Sequence, residues 1–271
     1  MNTHLTNKPE VIEPVKDVAI TVREDIFNLE SELLKMEQPE IVVNHYFSDG
    51  MYAREMIMQK GLLITGKIHK KEHFCVISKG IVNVVSEEKT ERIEAPAIYS
   101  SLPGTKRAIY AHEDSVWTTF HATNETDIEK IEEMFVTNDY QEYLISRDRN
   151  DYTNFLLEYD ITEDEANKIK EHTEDHFNLN LDEYSLKISV SPIHGEGLFS
   201  TGFIAKGSRV MPARIDNKRT QAGRLTNHSA NPNSMSKLLK NGDVDIVALR
   251  DINNEEITFS YREVLNLQRG I

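Results

Sequence analysis

The chain has 271 residues, 39% of them hydrophobic, enough for one large domain or two small ones that each bury a core. Its formal charge of −14 argues against a nucleic-acid groove or an anionic membrane surface, both of which need clustered Lys and Arg, and favours basic partners. Cys75 is the single cysteine, which excludes an internal disulfide and a Cys-rich zinc site and fits a reducing compartment.

The start, MNTHLTNKPEVIEP, shows no basic stretch followed by an apolar run, and no run of about 18 apolar residues occurs anywhere. The expectation is a cytoplasmic protein with no membrane span. Prolines at 9 and 14 and little pattern mark the first residues as an arm. TVREDIFNLESELLKM then places Val22, Ile26, Leu29 and Leu33 at helical spacing until Pro39, so residues 1–40 read as an arm and an amphipathic helix. Residues 41–124 change to short β-rich runs (LLITGKI, FCVIS, GIVNVVS, SVWTTFHA) divided by Gly, Pro or charged turns, an all-β sandwich or barrel.

Helical periodicity returns over residues 125–182 in TDIEKIEEMF and ITEDEANKIKEHTEDHF, where Thr162 and Glu165 have the spacing of a capping box, and this stretch reads as a helical linker. His172 and His176 in KEHTEDHF have the i, i+4 spacing that can chelate a metal, but the order His-Thr-Glu-Asp-His misplaces the zincin glutamate and favours a solvated helix face. Residues 183–263 are β-rich again, with SLKISVS, RVMPA, VDIVAL and EEITFSY as candidate strands, and residues 264–271 form a C-terminal tail. The fold class is mainly β with a helical linker, and no internal repeat is visible.

GKIHKKEHFCVISKGIVNVV resembles the first motif of the cupin superfamily, with Gly80 at its turn and His69 at its second histidine position. Lys67 stands at the first histidine position, His73 at the glutamate position, and Arg107, after Pro103 and Gly104 of the second motif, where that family has a histidine. The resemblance implies a cupin-like β-barrel over 41–124 whose usual metal set is broken, since Lys and Arg offer no lone pair to a cation. His69, His73 and His121 remain candidates for a three-imidazole site, against the plainer reading of hydrogen-bonded or surface histidines. HYFSDGMYAREMIMQKG is similar to strands of small cupin-like proteins of bacteriophages, which would place the protein in a host cytoplasm.

SPIHGEGLFSTGFIAKGSRV, RLTNHSANPN and ALRDINNEEITFSY follow one another in the order of a SET domain, the fold of many protein lysine methyltransferases, and resemble its Gly-x-Gly, Arg-x-x-Asn-His-Ser and Glu-Glu-x-x-x-x-Tyr motifs. The resemblance implies a compact SET-like fold over 183–263. It also implies an S-adenosylmethionine site at Gly195, Glu196, Gly197, Leu198, Arg224, Asn227 and His228, and a catalytic tyrosine at Tyr261. The chemistry suits those residue types. Glycines let backbone approach a ligand closely, and an asparagine amide donates and accepts at once. Ser229, Asn231, Pro232 and Asn233 read as turn formers holding a chain crossing.

Three departures from the family pattern stand out. The insert MPARIDNKRTQAG is short, no Cys-rich tail follows Tyr261, and MPAR replaces the family's aromatic-x-Gly-Glu segment, part of the usual channel wall; within the third motif Asn254 stands where a glycine is usual. The cleft is therefore expected to be open, and to be closed by the barrel or a second subunit. The function this implies is transfer of a methyl group to a lysine of a protein substrate, with the cupin-like part as a homo-oligomer contact. The other readings are a virion or assembly protein built on the two folds without catalysis, and a cupin-type small-ligand binder or enzyme.

Overall fold

In IVNVVS, Val82, Val84 and Ser86 are buried while the residues between them stay half-exposed, the period of a strand with one face on a core. That alternation recurs through the first half of the chain. The computed structural model describes residues 18–269, so the expected arm over 1–17 lies outside it. The chain divides into two units, Met1–Tyr140 and Gln141–Ile271.

The first unit runs α1 (Val18–Leu33), β1 (Val42–Ser48), β2 (Met51–Met58), β3 (Leu63–Thr65), β4 (Ile68–His69), β5 (His73–Lys79), β6 (Ile81–Ser86), β7 (Thr90–Glu94), β8 (Ala97–Ser101), β9 (Arg107–Ala111), β10 (Ser115–Ala122), α2 (Ile128–Phe135) and β11 (Val136–Thr137). Among the described residues the strands do not close into the expected barrel. They form two open antiparallel sheets, β1-β2-β10-β5-β8 and β3-β9-β6-β7. Edge strand β7, TERIE, is too rich in charge to invite further pairing. Met56, Met58, Cys75, Ile77, Val84, Ile109 and Trp117, drawn from both sheets, make one core. Helix α1 is fastened by Lys106, whose fully buried ammonium meets Glu30 Oε1 at 2.7 Å.

The second unit takes α3 (Tyr140–Glu158) from its second residue, then α4 (Glu163–Glu171), β12 (Leu186–Val190), β13 (Glu196–Ser200), β14 (Phe203–Ile204), β15 (Arg209–Ile215), β16 (Lys218–Arg219), α5 (Gln221–Leu225), β17 (Asn227–His228), β18 (Ser234–Leu238), β19 (Val244–Ala248), β20 (Ile252–Asn253), β21 (Thr258–Phe259) and α6 (Tyr261–Arg269). Its largest sheet has the order β16-β15-β19-β18, and its core gathers Leu186, Leu198, Met211, Ile246, Ile252 and Ile257. The short insert closes as a hairpin through Asp216 and Asn217, at φ +48° and +61°, residue types that tolerate the left-handed region. Asn254 sits there too, at φ +52°, which explains an asparagine where a glycine is usual.

Thr162 caps α4 in a full capping box with Glu165. Two expectations are corrected here. Helix α4 ends at Glu171, so His172 and His176 do not share a helix face; His172 is the C-cap, and the next residues run alongside Arg219, whose guanidinium grips Asp175 at 2.6 Å. Tyr261 does not end a strand but opens α6, and the expected tail is helical, with Tyr261 and Val264 packed on the core one helical turn apart.

His69, His73 and His121 of the first unit do come together, with ring centroids 3.8 to 5.2 Å apart and planes within 9 to 29° of parallel. Lone pairs lie in the ring planes, so near-parallel rings do not present the pyramidal donor set of a tetrahedral ion. Among the described residues no His, Cys, Asp or Glu group is arranged to hold a metal. Burial, and then mutual repulsion, keeps the stack neutral: His69 is held well below 6.5, and desolvation lowers His73 and His121 to about 4. Folded pKa values below the unfolded value mean that the unfolded chain binds more protons in acid. Stability complete above 6.5 is therefore lost as pH falls toward 4. Thermal melts should show this loss for the wild type, and His121→Phe should flatten it.

Candidate functional site

Three separated segments meet in the second unit. The first is the turn between β12 and β13. Ser191 N donates to the Gly195 carbonyl at 2.8 Å, and Ser191 Oγ accepts from Ile193 N at 3.0 Å and His194 N at 3.3 Å, folding the loop on itself. Gly195 has φ +54°, where a side chain would be strained, and a Cβ on Gly197 would collide with the Glu256 carboxylate.

The second segment is RLTNHSANPN. Asn227 Nδ2 donates to Glu256 Oε1 at 2.7 Å and to the carbonyls of His194 and Glu196 at 3.1 and 3.2 Å. Two N–H groups serve three acceptors, and the charged one takes the short bond. The third segment, EEITFSY, pairs in parallel with the second, Asn227 opposite Thr258 and His228 opposite Phe259. Asn233 closes the crossing, donating from Nδ2 to the Glu256 carbonyl at 2.7 Å and accepting from Thr258 N at 2.9 Å. Burial pushes the Glu256 carboxyl's pKa up, opposed by hydrogen bonds from Asn227 and Ser191.

Helix α3 braces this crossing. The Tyr261 backbone N–H donates to His228 Nδ1 at 3.1 Å, so the imidazole proton sits on Nε2, which donates to Asp151 Oδ2 at 2.9 Å. Burial holds the His228 pKa below the ordinary range, so the ring is neutral. Asp151 also accepts from Arg262 Nη1 at 2.9 Å, and Asp148 accepts from Ser229 Oγ at 2.9 Å and Ala230 N at 3.1 Å. The Tyr261 ring meets Tyr152 and Phe155 edge-on, at 5.9 and 5.6 Å between centroids, and its hydroxyl donates to the Thr226 carbonyl at 3.3 Å. Burial, with Tyr152 and Glu256 adding to it, pushes the phenol's pKa well above its usual value.

These groups border a cavity of about 700 Å³ lined by Tyr152, His194, Arg224, Asn227, His228 and Tyr261. Lys168 and Lys170 of α4, from the same unit, also line it. Of the residues singled out in the sequence, Gly195, Glu196, Gly197, Asn227, His228 and Tyr261 lie at the crossing. Arg224 lines the cavity and donates to Asn178 Oδ1 at 2.6 Å. Leu198 turns its side chain wholly into the core. Ser191, Glu256, Asp148, Asp151, Tyr152 and Phe155 were not foreseen. The signal for the last four was Asp148, Asp151, Tyr152 and Phe155 at i, i+3, i+4 and i+7, one helix face of acids and aromatics.

The family model for the SET domain matches residues 50–262. The chain belongs to the SET-domain family. That family comprises protein methyltransferases that generally use S-adenosylmethionine, and the three segments that meet at the cavity are the ones that resemble its motifs. No curated protein matches this SET-domain chain. Solved structures similar to part of it include KdgF from Halomonas sp., at 14% identity and TM-score 0.30 over 34% of this chain and 89% of that one. A cupin-2 domain protein from Shewanella frigidimarina is similar at 11% identity and TM-score 0.26 over 36% and 92%. No described helix is long and apolar enough to cross a membrane.

The hydrogen bonds of Asn227 predict that Asn227→Ala weakens the fold as well as the site, because Glu256 and two loop carbonyls lose their donor. Urea unfolding at neutral pH should show a loss of roughly 1–3 kcal/mol. Asn227→Asp, which sets a carboxylate against Glu256, should lose more.

Proposed function

We propose that the second unit transfers a methyl group from S-adenosylmethionine to a lysine amine of a protein substrate. The observation that carries this reading is the convergence of Asn227, His228 and Tyr261, from separated motifs, on one cavity that also holds aromatic faces and cations. When bound, the cofactor supplies a methyl group activated on a sulfonium.

The residues present fit the ends of such a molecule. Lys170, whose Nζ stands 3.4 Å from where a Gly195 Cβ would be, and Arg224 offer cations to its carboxylate. Asn227, with its Nδ2 engaged by the chain, keeps Oδ1 without a partner among the described residues and can accept from an ammonium. Tyr152, Phe155 and Tyr261 offer ring faces to a cation.

Tyr261 acts here as an oriented acceptor and a wall, not as a base: its phenol stays protonated at neutral pH, its O–H is engaged by the Thr226 carbonyl, and its oxygen lone pair can accept from an amine N–H. Its backbone N–H on His228 and its hydroxyl on Thr226 hold the ring at both ends. An incoming lysine amine must be neutral to react, and the apolar wall together with Lys168, Lys170 and Arg224 favours loss of its proton. Alignment carries most of the remaining rate.

Transfer of a labelled methyl group into protein extracts, at matched cofactor occupancy, tests this. Tyr261→Phe should label about 10- to 100-fold more slowly, on the scale of rate losses from misplaced reacting groups, with cofactor affinity by calorimetry little changed. Equal labelling would remove Tyr261 from catalysis, and failure of the wild type to bind S-adenosylmethionine would overturn the reading.

A further inference from the structure

Methyl transfer leaves the first unit without a role. Its two sheets hold a separate cavity of about 520 Å³, in the size range of small-molecule sites, with Met56, Ile64, Ile109, Trp117 and Phe135 in its wall. Two guanidiniums interrupt that apolar lining. Arg54 lies on the core face of β2, in step with buried Tyr52, Met56 and Met58, and opposite Thr119 of β10. It has no hydrogen bond or ion pair among the described residues. Arg107, in step with buried Ile109 and Ala111 on β9, donates Nη2 to Ser101 Oγ at 2.6 Å and meets no carboxylate among the described residues.

The carboxylates that border the cavity are taken. Glu30 holds Lys106 at 2.7 Å and Thr65 at 2.8 Å, and Glu132 holds Lys67 at 2.9 Å. His69 Nδ1 and His121 Nδ1 line the same space, buried and without a hydrogen-bond partner among the described residues, and His121 is only 6% exposed. Burial and the neighbouring histidines hold His69 neutral, with Arg107 and Arg54 adding to the effect, so the cations here without an ion pair among the described residues are the arginines, Lys67 and Lys106 being paired with Glu132 and Glu30.

Two half-buried guanidiniums that make no ion pair among the described residues keep donors to offer, and a planar guanidinium fork matches a carboxylate. We propose that this cavity binds a small organic acid, its carboxylate clamped by Arg54 and Arg107, its apolar body against Ile64, Ile109 and Trp117, and its remaining polar atoms on His69 and His121.

Trp117 is the chain's only tryptophan and lines the cavity, so its fluorescence reads the site directly. The full chain is titrated with benzoate, hexanoate and succinate at constant ionic strength, with benzamide and inorganic phosphate in parallel. At least one acid should give a saturable change, with benzamide and phosphate giving none. Arg54→Met and Arg107→Met should each raise the dissociation constant by about tenfold or more, and Arg54→Lys should fall between. The assignment is overturned if no acid saturates, if benzamide matches benzoate, if phosphate alone saturates, or if Arg54→Met binds as the wild type does. It is equally overturned if elemental analysis finds a transition metal that His69→Ala loses, since the histidines would then be metal donors.

Discussion

Burying a carboxylate is unfavourable unless donors take up its oxygens, and Glu256 is taken up by two: Asn227 Nδ2 on Oε1 at 2.7 Å and Ser191 Oγ on Oε2 at 2.9 Å. Each donor belongs to a different segment. Ser191 also accepts the N–H groups of Ile193 and His194, and Asn227 also reaches the carbonyls of His194 and Glu196, so the glycine loop is tied to Glu256 from both ends. The fit is tight enough that position 197 has no room for a Cβ. The shape of the loop, the parallel crossing of β17 and β21, and the placing of the cavity's rim all follow from how this one half-buried carboxylate is satisfied.

The opposite side of the crossing is held by a neutral imidazole. His228 has one acceptor and one donor, and spends them on the Tyr261 backbone N–H and on Asp151. A protonated ring would have no lone pair for Tyr261, so the start of α6 would lose its anchor. Burial, which holds the ring's pKa down, therefore also fixes where Tyr261 begins its helix. Arg262, next in the chain, adds a second bond to the same Asp151 and one to Glu158, so α3 and α6 are joined by two acids of α3. The site's aromatic wall rests on that joint.

The residues legible in the sequence were those whose type is demanded by local geometry or by spacing: glycine at 195 and 197, the Thr162–Glu165 box, and the alternating β-runs. What was not legible depends on contacts distant in sequence. Glu256 looks like its neighbour Glu255, yet Glu255 faces Arg250 at the surface while Glu256 turns inward, against a simple alternation, which would put Glu255 and not Glu256 in step with buried Ile257 and Phe259. Tyr261 read as a strand end because EEITFSY alternates, but the pairing stops at Phe259 and the apolar spacing of Tyr261 and Val264 is helical. The β-runs of the first half could not distinguish a barrel from two open sheets, because alternation specifies which face is buried and not which edges meet.

The two units treat buried charge in opposite ways, and the contrast bears on what each is for. In the second, Glu256, Asp148 and Asp151 all have donors from the chain itself, so the crossing is complete before any ligand arrives. A preformed frame of that kind suits a reaction in which alignment carries the rate. In the first, Lys106 is buried as deeply as any residue of the core and is matched by Glu30, whereas Arg54 and Arg107, half-buried on the core faces of their strands, make no ion pair with an acid among the described residues. A unit that pairs one buried cation does not leave two others unpaired for want of acidic residues, since the chain carries 45 of them. The missing anion is instead best supplied from solution, and the neutral histidine stack beside the arginines limits the charge that such a ligand has to balance.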